Sequence, residues 1–427
     1  MSAVLPRFDR PLVMVFSSET YRASAFLEAA SKLGVEVVLA CDVDEATTKL
    51  LGSRLVQVDL SDPEGGAQRI VEAVEERDPR SVIPLDEAAV PLAAIASGRL
   101  GTTSNSVSGV LATRDKAALR RRMFEANVAQ PRFLIAFDPQ DAVLDEAGDR
   151  VDFPCVVKPA VLSASTGVIL ADSPEALRRA AIEAYEIQFQ LAHRRAPLVV
   201  EEFLPGREIA IEAIVVGGDL EVLAVIDKPD PPRGPYFPER ILVTPADLDE
   251  KTLEGVCELV SAATTALGIV DGPVHAEIRW GDDEPKLLEI AARTIGGLCS
   301  KALLFEADDK ESLEEVVLRR ALGDLRATRP VLTYSGVAML YPDIPGRIEK
   351  VEGISDAKAV PNVWAVDITV RRGTRVEPLP RGNRYLGFIF ARAENRQACI
   401  SALREAESSL RFVIESQPVL APEGAEG

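Results

Sequence analysis

Val274-His275-Ala276-Glu277-Ile278-Arg279-Trp280, then Gly281-Asp282-Asp283-Glu284-Pro285, then Lys286-Leu287-Leu288-Glu289-Ile290-Ala291-Ala292-Arg293, is the stretch on which the fold turns. Each arm alternates with a period of two, as a half-buried strand must, and the polar middle reads as a hairpin loop. His275, Glu277 and Arg279 share one face of the first arm. Leu287, Glu289, Ala291 and Arg293 share one face of the second. Pairing Trp280 with Lys286 sets Glu277 opposite Glu289 and His275 opposite Ala291. Like charges placed so are destabilising, and two forced carboxylates invite a divalent cation or a shared proton. With oxygen ligands the cation is Mg²⁺ or Mn²⁺. The alternative is an exposed hairpin face whose two acids point into water. Arg293 either stabilises charge on a reacting phosphoryl or acyl oxygen or closes a salt bridge with one of the glutamates. Gly296 and Gly297 follow, and let backbone approach a ligand or merely end the strand.

Upstream, Lys158 ends the apolar run Phe153-Pro154-Cys155-Val156-Val157 and leads into Ser163-Ala164-Ser165-Thr166-Gly167. A lysine before a loop of small residues suits phosphate, by a point charge plus backbone N–H groups and hydroxyls. An ordinary surface strand end has the same appearance, and no GxxxxGK[ST] run marks a P-loop. Lys116 lies on an Arg-rich helix expected from an N-cap at Thr113 through Asn127, where a solvated charge is the plain reading. Leu198-Val199-Val200-Glu201-Glu202-Phe203-Leu204-Pro205-Gly206 reads as a strand entering a turn. Its end either grips an adenine edge or simply connects two elements.

The rest of the chain frames this centre. Positions 12–17, 35–41, 55–58 and 81–85 read as strands, and 23–33 and 65–77 as amphipathic helices, which argues for a small parallel sheet covered by helices. The turn Ser17-Ser18-Glu19-Thr20 carries no dinucleotide fingerprint. Positions 336–341, 364–371 and 385–393 read as strands and 395–409 as a helix. The domains are expected at 1–112, 113–325 and 326–417, with a disordered tail at 418–427. In the 427-residue chain, 48 basic against 67 acidic residues leave a charge of −19, which disfavours nucleic acid as the main partner. The run 12–16 is too short for a membrane span or signal segment, so the protein is expected in the cytoplasm and off membranes. Five scattered cysteines read as reduced core thiols, and His193 and His275 are too few for a multi-histidine metal site.

Taken together and in order, Arg114-Asp115-Lys116, Pro154–Pro159, Glu201–Glu208, His275-Ala276-Glu277 and Leu288–Arg293 with Gly296-Gly297 resemble the ATP-grasp superfamily of carboxylate–amine ligases. The match covers about 113–325. Thr20-Tyr21-Arg22-Ala23, Asp227-Lys228-Pro229-Asp230-Pro231 and the strand beginning at Gly336 extend it toward the L-amino-acid ligase branch, which joins amino acids into dipeptides. The resemblance implies an α/β and α+β multidomain chain: an ATP-grasp fold, a Rossmann-like α/β domain before it and a small α+β domain after it. It places Lys116 and Lys158 on the phosphates of ATP, with Ser163, Ser165, Thr166 and Gly167 in the lid above them. Glu201 and the Leu204 backbone would take adenine, Glu208 the ribose, Glu277 and Glu289 the Mg²⁺ ions, and Arg293 the reacting oxygens.

Two positions depart from the family pattern. The lid keeps one glycine, Gly167, and Ala291 stands where many members place Asn. The implied activity is amide or dipeptide formation through an acyl phosphate, releasing ADP and phosphate, on small carboxylates and amines, and a homodimer is a possible assembly. Two rivals stand beside it. One is a biotin-carboxylase-like activity on bicarbonate, although no Met-Lys-Met run occurs. The other is a nucleotide-binding module without turnover. The Pro-rich loop 227–240 either covers the substrate or is a surface connection.

Overall fold

A computed structural model of the chain describes residues 10–44, 54–281, 284–307, 310–331 and 333–415. The tail expected to be disordered and the tip of the 281–285 loop lie outside these residues.

The first segment builds a parallel sheet because its strands are apolar on both faces. β1 (Leu12–Phe16), β2 (Val37–Cys41), β3 (Leu55–Gln57) and β4 (Ser81–Pro84) lie in the order β3-β2-β1-β4. The helices Ala23–Leu33, Pro63–Val74 and Val90–Leu100 accompany them. Gly34 ends the first helix at φ 68°, a left-handed cap that costs glycine least. The strands and the first two helices match the sequence reading to within a few residues, and the helix Val90–Leu100 was not foreseen.

The next segment differs from expectation at its start. Thr113 closes a short helix, Val107–Thr113, that the polar stretch before it had concealed. The cap of the following helix, Lys116–Glu125, is Asp115, whose carboxylate accepts from the N–H groups of Ala117 and Ala118. The helix stops at Glu125, and Asn127 is left-handed at φ 55°. β5 (Phe133–Ala136), β6 (Cys155–Pro159), β7 (Ile169–Ala171) and β8 (Leu198–Glu202) then form an antiparallel sheet in the order β5-β8-β6-β7. The helix Pro174–Ala192 buries Leu177, Ala180, Ala181 and Ala184 against it.

The large sheet holds β9 (Glu208–Val216), β10 (Asp219–Lys228), β11 (Ile241–Thr244), β12 (Asp271–Trp280) and β13 (Pro285–Ala291). After the small ribbon β14 (Leu304–Phe305) and β15 (Glu311–Ser312), the chain adds β16 (Tyr334–Leu340) to the same sheet. The short strands β17 (Gly346–Glu352), β19 (Arg375–Val376) and β21 (Arg411–Glu415) form a separate three-stranded sheet. β18 (Val363–Ile368) and β20 (Gly387–Ala393) complete the large one, in the order β13-β12-β9-β10-β11-β16-β20-β18. One sheet therefore runs across position 325, where the sequence suggested a break. β17 and β21 were not foreseen, because the apolar residues of β17 are interrupted by charge and β21 is a run of only three.

β9 explains how the sheet is used. Ile209, Ile211, Ala213 and Val215 face the helix Glu250–Leu267 through its Val256, Val260 and Ala263. The opposite face carries Glu208, Ala210, Glu212 and Ile214, and only part of it is apolar. The polar part of that face is the candidate site. Cys41, Cys155, Cys299 and Cys399 are buried, Cys257 is half-buried, and all five are unpaired thiols. No helix among the described residues is long and apolar enough to cross a membrane.

Candidate functional site

Cross-strand pairing assembles the site. On β12 and β13, Glu277 lies opposite Glu289 and His275 opposite Ala291, as expected. Beyond Glu277 the register shifts by one residue: Ile278 pairs with Leu287, Arg279 with Lys286, and Trp280 with Pro285 rather than Lys286. The extra residue is Leu288, and the bulge sends Leu287 to the opposite face. Leu287 therefore packs with Ala276, Ile278 and Ile290 in the core instead of sharing a face with Glu289. Leu288 turns toward the site in its place.

On the other side of β12, His275 pairs with Glu212 and Arg279 with Glu208, while Glu208 in turn pairs with Lys228 of β10. This makes a row of alternating charge, Arg279–Glu208–Lys228, with contacts of 3.1 and 2.6 Å. Opposite charges side by side stabilise the sheet where like charges would oppose it. Ala210, the partner of Glu277, leaves the space into which these longer side chains converge.

Lys228 is the hub. Its ammonium contacts Glu208, Glu239 and Glu277, the last at 3.3 Å. One carboxylate oxygen from each of these glutamates lies within 4.8 Å of the others. The tightest carboxylate cluster is thus Glu208–Glu239–Glu277, while Glu289 stands across the hairpin, 3.8 Å from Lys116 Nζ. Burial pushes the Glu277 carboxyl up, but Lys228 and His275 outweigh it and hold it ionised, well below the usual range. Glu239 is raised, by burial and then by Glu277, with Lys228 opposing. His275 loses basicity to burial and regains more from Glu212, ending at about 9, so its Nδ1–H donates to Glu212. A donor set of carboxylate oxygens, two of them facing across a hairpin, suits hard Mg²⁺ or Mn²⁺. Lys228, quoted in the sequence only within the 227–231 segment, and Glu239 were given no site role there, because they reach the cluster only through the pairing of β9 with β10 and the fold of the loop after Lys228.

The two upstream lysines also arrive here. Lys158 Nζ lies 2.6 Å from Glu201, and Lys116 Nζ donates to the Leu162 carbonyl at 2.7 Å. The Glu201 side chain is 1% exposed and takes Arg120 Nε at 2.7 Å besides Lys158. Burial raises its pKa, but Arg120 and Lys158 bring it down to about 2. Its carboxylate is therefore engaged by two cations, and any contact to a base edge from this residue falls to its backbone. Arg120 was missed in the sequence because it sits in an arginine-rich helix where only the fold tells a buried guanidinium from a solvated one.

Phe203, Phe237, Val156, Val168, Leu204 and Leu288 wall a narrow slot whose polar end holds Lys116, Lys158, Glu201 and Glu208. Arg279 lies over the Phe203 ring, 5.0 Å from its centroid. The slot and a larger chamber share Ser165, Glu239, Glu277 and Glu289 as a common wall. The chamber encloses about 460 Å³ between all three parts of the chain, lined by Tyr21, Arg22, Glu87, Arg293 and Tyr385 among others. Arg293 forms its salt bridge not with Glu277 or Glu289 but with Glu87 of the N-terminal segment, at 2.6 Å.

The loop 163–167 closes the slot as a run of turns. Ala164 and Ser165 adopt φ of 53° and 56°, a strained region for residues with a Cβ, before Gly167 at 72°. Thr166 is buried, and the Gly167 N–H donates to the Pro380 carbonyl at 2.8 Å. A Cβ on Gly167 would lie 2.5 Å from the Pro159 ring, so the one glycine in this loop sits where none but glycine fits. Ser163 and Ser165 line the chamber. If the loop orders over a nucleotide, the amides at 163–165 should exchange on the order of tenfold more slowly with a Mg²⁺–ATP analogue. Gly167, already bonded, should change little. Hydrogen exchange resolved by residue measures this, and unchanged rates at 163–165 would remove the lid from the mechanism.

Comparison with known proteins agrees with this architecture. Residues 151–302 match the ATP-grasp domain family, and residues 338–415 match the L-amino acid ligase C-terminal domain 2. An uncharacterized protein of Sinorhizobium fredii, y4rH, is 29% identical over 310 residues, covering 70% of this chain and 61% of its own. A D-alanine–D-alanine ligase of Geobacillus kaustophilus is 27% identical over 179 residues, 38% of this chain and 46% of its own. The chain spans about half to three fifths of the length of such curated relatives. The crystal structure of an L-amino acid ligase from Bacillus licheniformis superposes with a TM-score of 0.78 at 24% identity, over 96% of this chain and 100% of that one, which shows a common fold. The chain thus carries an ATP-grasp domain at 151–302, followed at 338–415 by a C-terminal domain of the L-amino acid ligase type.

Proposed function

We propose that the protein is an ATP-dependent carboxylate–amine ligase that joins amino acids through an acyl phosphate. The observation that carries this reading is the common wall between slot and chamber. A nucleotide in the slot directs its terminal phosphate at Glu277 and Glu289, and a carboxylate in the chamber meets it there.

Phe203 and Phe237 line the slot beside the base, the Leu204 backbone reads its edge, and Glu208 reaches the ribose. Lys116, Lys158 and the loop residues Ser163, Ser165, Thr166 and Gly167 hold the phosphates. Glu277 and Glu289 would hold Mg²⁺, which when bound offsets phosphate charge and polarises the phosphoryl group. A substrate carboxylate oxygen attacks the γ-phosphorus as the bond to the β,γ-bridging oxygen breaks, leaving ADP and an acyl phosphate. Arg293, drawn from Glu87, offsets charge on the transferred group. The nitrogen of an amine then attacks the carbonyl carbon. Its C–O bond to phosphate breaks, phosphate leaves with the electron pair, and the ammonium proton departs to solvent. No side chain is needed as the nucleophile, since the amine itself supplies it. The chamber falls in the usual range for small organic ligands and is far larger than bicarbonate requires.

ADP formation should require a carboxylic acid, and amide product should require an amine as well. ADP and product mass, measured with single amino acids, amino-acid pairs, and bicarbonate plus free biotin, decide the matter. New amide masses in the pairs support the ligase. Turnover with bicarbonate and biotin alone would place the protein with the bicarbonate-activating enzymes. ATP binding with no turnover in any mixture would leave a nucleotide-binding module.

A further inference from the structure

Arg22 stands at the N-terminus of the helix Ala23–Leu33, on the chamber wall beside the end of the hairpin. Its side chain is one of the few buried charges that lack an ion-pair partner among the described residues. The residue is 7% exposed, and its Nε and one terminal nitrogen have no hydrogen-bond partner among the described residues. Its remaining terminal nitrogen makes one long contact, 3.4 Å to the Thr294 carbonyl. Glu212 and Glu314 act on it through space, while burial and the neighbouring Arg293 weigh against its charge. A buried guanidinium that stays unpaired is destabilising, so a folded protein keeps one where a ligand completes it.

The ligand must be an anion, and a planar one matches the guanidinium fork. Its place follows from Arg293, whose Nη1 donates to the same Thr294 carbonyl at 2.9 Å. Two guanidinium groups converging on one oxygen are a single small-molecule length apart. Arg293 faces the reacting centre, so the anion at Arg22 lies only a few bonds from the bond being made. In an α-amino acid the carboxylate is two bonds from the nitrogen. A remote side-chain carboxylate would overshoot, and the reacting carboxylate of the acyl donor belongs at Glu277 and Glu289 instead. The first-turn N–H groups of the helix, whose preceding residues Thr20 and Tyr21 also line the chamber, favour the same sign of charge.

We infer that Arg22 is the specificity determinant for the amine substrate and binds its α-carboxylate, so that the second substrate is a free α-amino acid and the product keeps a free carboxyl end. This deepens the ligase reading and rests on it for the product, but the binding step is testable without turnover. Calorimetry on the full chain with Mg²⁺–ADP compares L-alanine, L-leucine and L-phenylalanine with their C-terminal amides. The parent should bind at least one of the acids on the order of tenfold or more tighter than its amide. Arg22→Met, close in volume, should abolish that preference while leaving ADP affinity unchanged. Arg22→Lys, which keeps the charge but not the fork, should retain part of it. Melting of the nucleotide-free Arg22→Met variant should be at or above the parent value, because an unpaired buried charge is gone. A role of Arg22 in folding alone would instead lower it and leave the acid–amide preference intact. Equal binding of acid and amide by the parent, an unchanged preference in Arg22→Met, or no binding of any acid would overturn the inference. Absence of amide product with intact, Arg22-dependent amino-acid binding would instead sink the ligase reading alone.

Discussion

Glu289→Gln should lower turnover on the order of a hundredfold or more while leaving the melting temperature within a degree or two of the parent. The first half rests on placement. Glu289 faces Glu277 across the hairpin and lines both slot and chamber, at the point where phosphoryl transfer is proposed. Removing one carboxylate from such a pair removes charge that matters most in the transition state. The second half rests on how little Glu289 does for the fold. Its one ion pair among the described residues is Lys116 at 3.8 Å, and its side chain is 34% exposed, so a neutral isostere disturbs the fold little. Glu277 could not serve as the cleaner test, because Lys228 and His275 both depend on it. ADP release at saturating substrates and a thermal melt measure the two halves. A parent-like rate in Glu289→Gln, with substrates present, would exclude it from the metal site.

Glu201→Gln should do the reverse and destabilise the fold first. Arg120 and Glu201 are both 1% exposed, and Lys158 shares the same carboxylate. Taking the negative charge away leaves a buried guanidinium facing a neutral amide, a loss of about 3–5 kcal/mol when one partner of a buried pair is removed. Lys158, proposed to hold the phosphates, would no longer be anchored at 2.6 Å, so nucleotide affinity should fall as well. Urea denaturation at neutral pH measures the first effect, and a loss under 1 kcal/mol would contradict it.

The same pair predicts a pH dependence. Glu201 falls from its ordinary 4.5 to about 2 in the folded protein, so folding favours the ionised form. Its stabilisation is fully present above about pH 4.5, where the unfolded chain is also ionised. It is lost as pH falls through the window from 4.5 to 2, where the unfolded state binds the proton more readily. Stability of the parent should decline across that window more steeply than that of Glu201→Gln.

Much of the site was legible in the sequence because alternation is a local property. The residues 274–280 declare which side chains share a face, and Glu277 and Glu289 do pair as that pattern implies. Lys158 could be picked out from the loop it introduces and Lys116 only through the family resemblance, and the fold brings both to one slot. The bulge at Leu288 could not be read. A single inserted residue changes the face of Leu287 without changing the polarity of the segment, and only packing against Ala276 and Ile278 decides between the two registers. The cap at Asp115 was missed for a similar reason. Thr113 and Asp115 are both competent caps, and the choice follows from the Val107–Thr113 helix packed ahead of them.

The strands of the parallel sheet, the helix Ala23–Leu33 to its last residue, and the carboxylate pair of the hairpin are written in the sequence, since each depends on neighbours only a few positions away. The tertiary structure alone decided that Lys228 sits among Glu208, Glu239 and Glu277, that Arg120 and Lys158 share Glu201, and that Arg293 reaches Glu87. It also decided that Arg22 is buried at the chamber wall with no ion-pair partner among the described residues. A charged side chain carries no mark of its partner. The free energy of an ion pair depends on distance and on the exclusion of water, and both are set by strand order and by domains closing over one another.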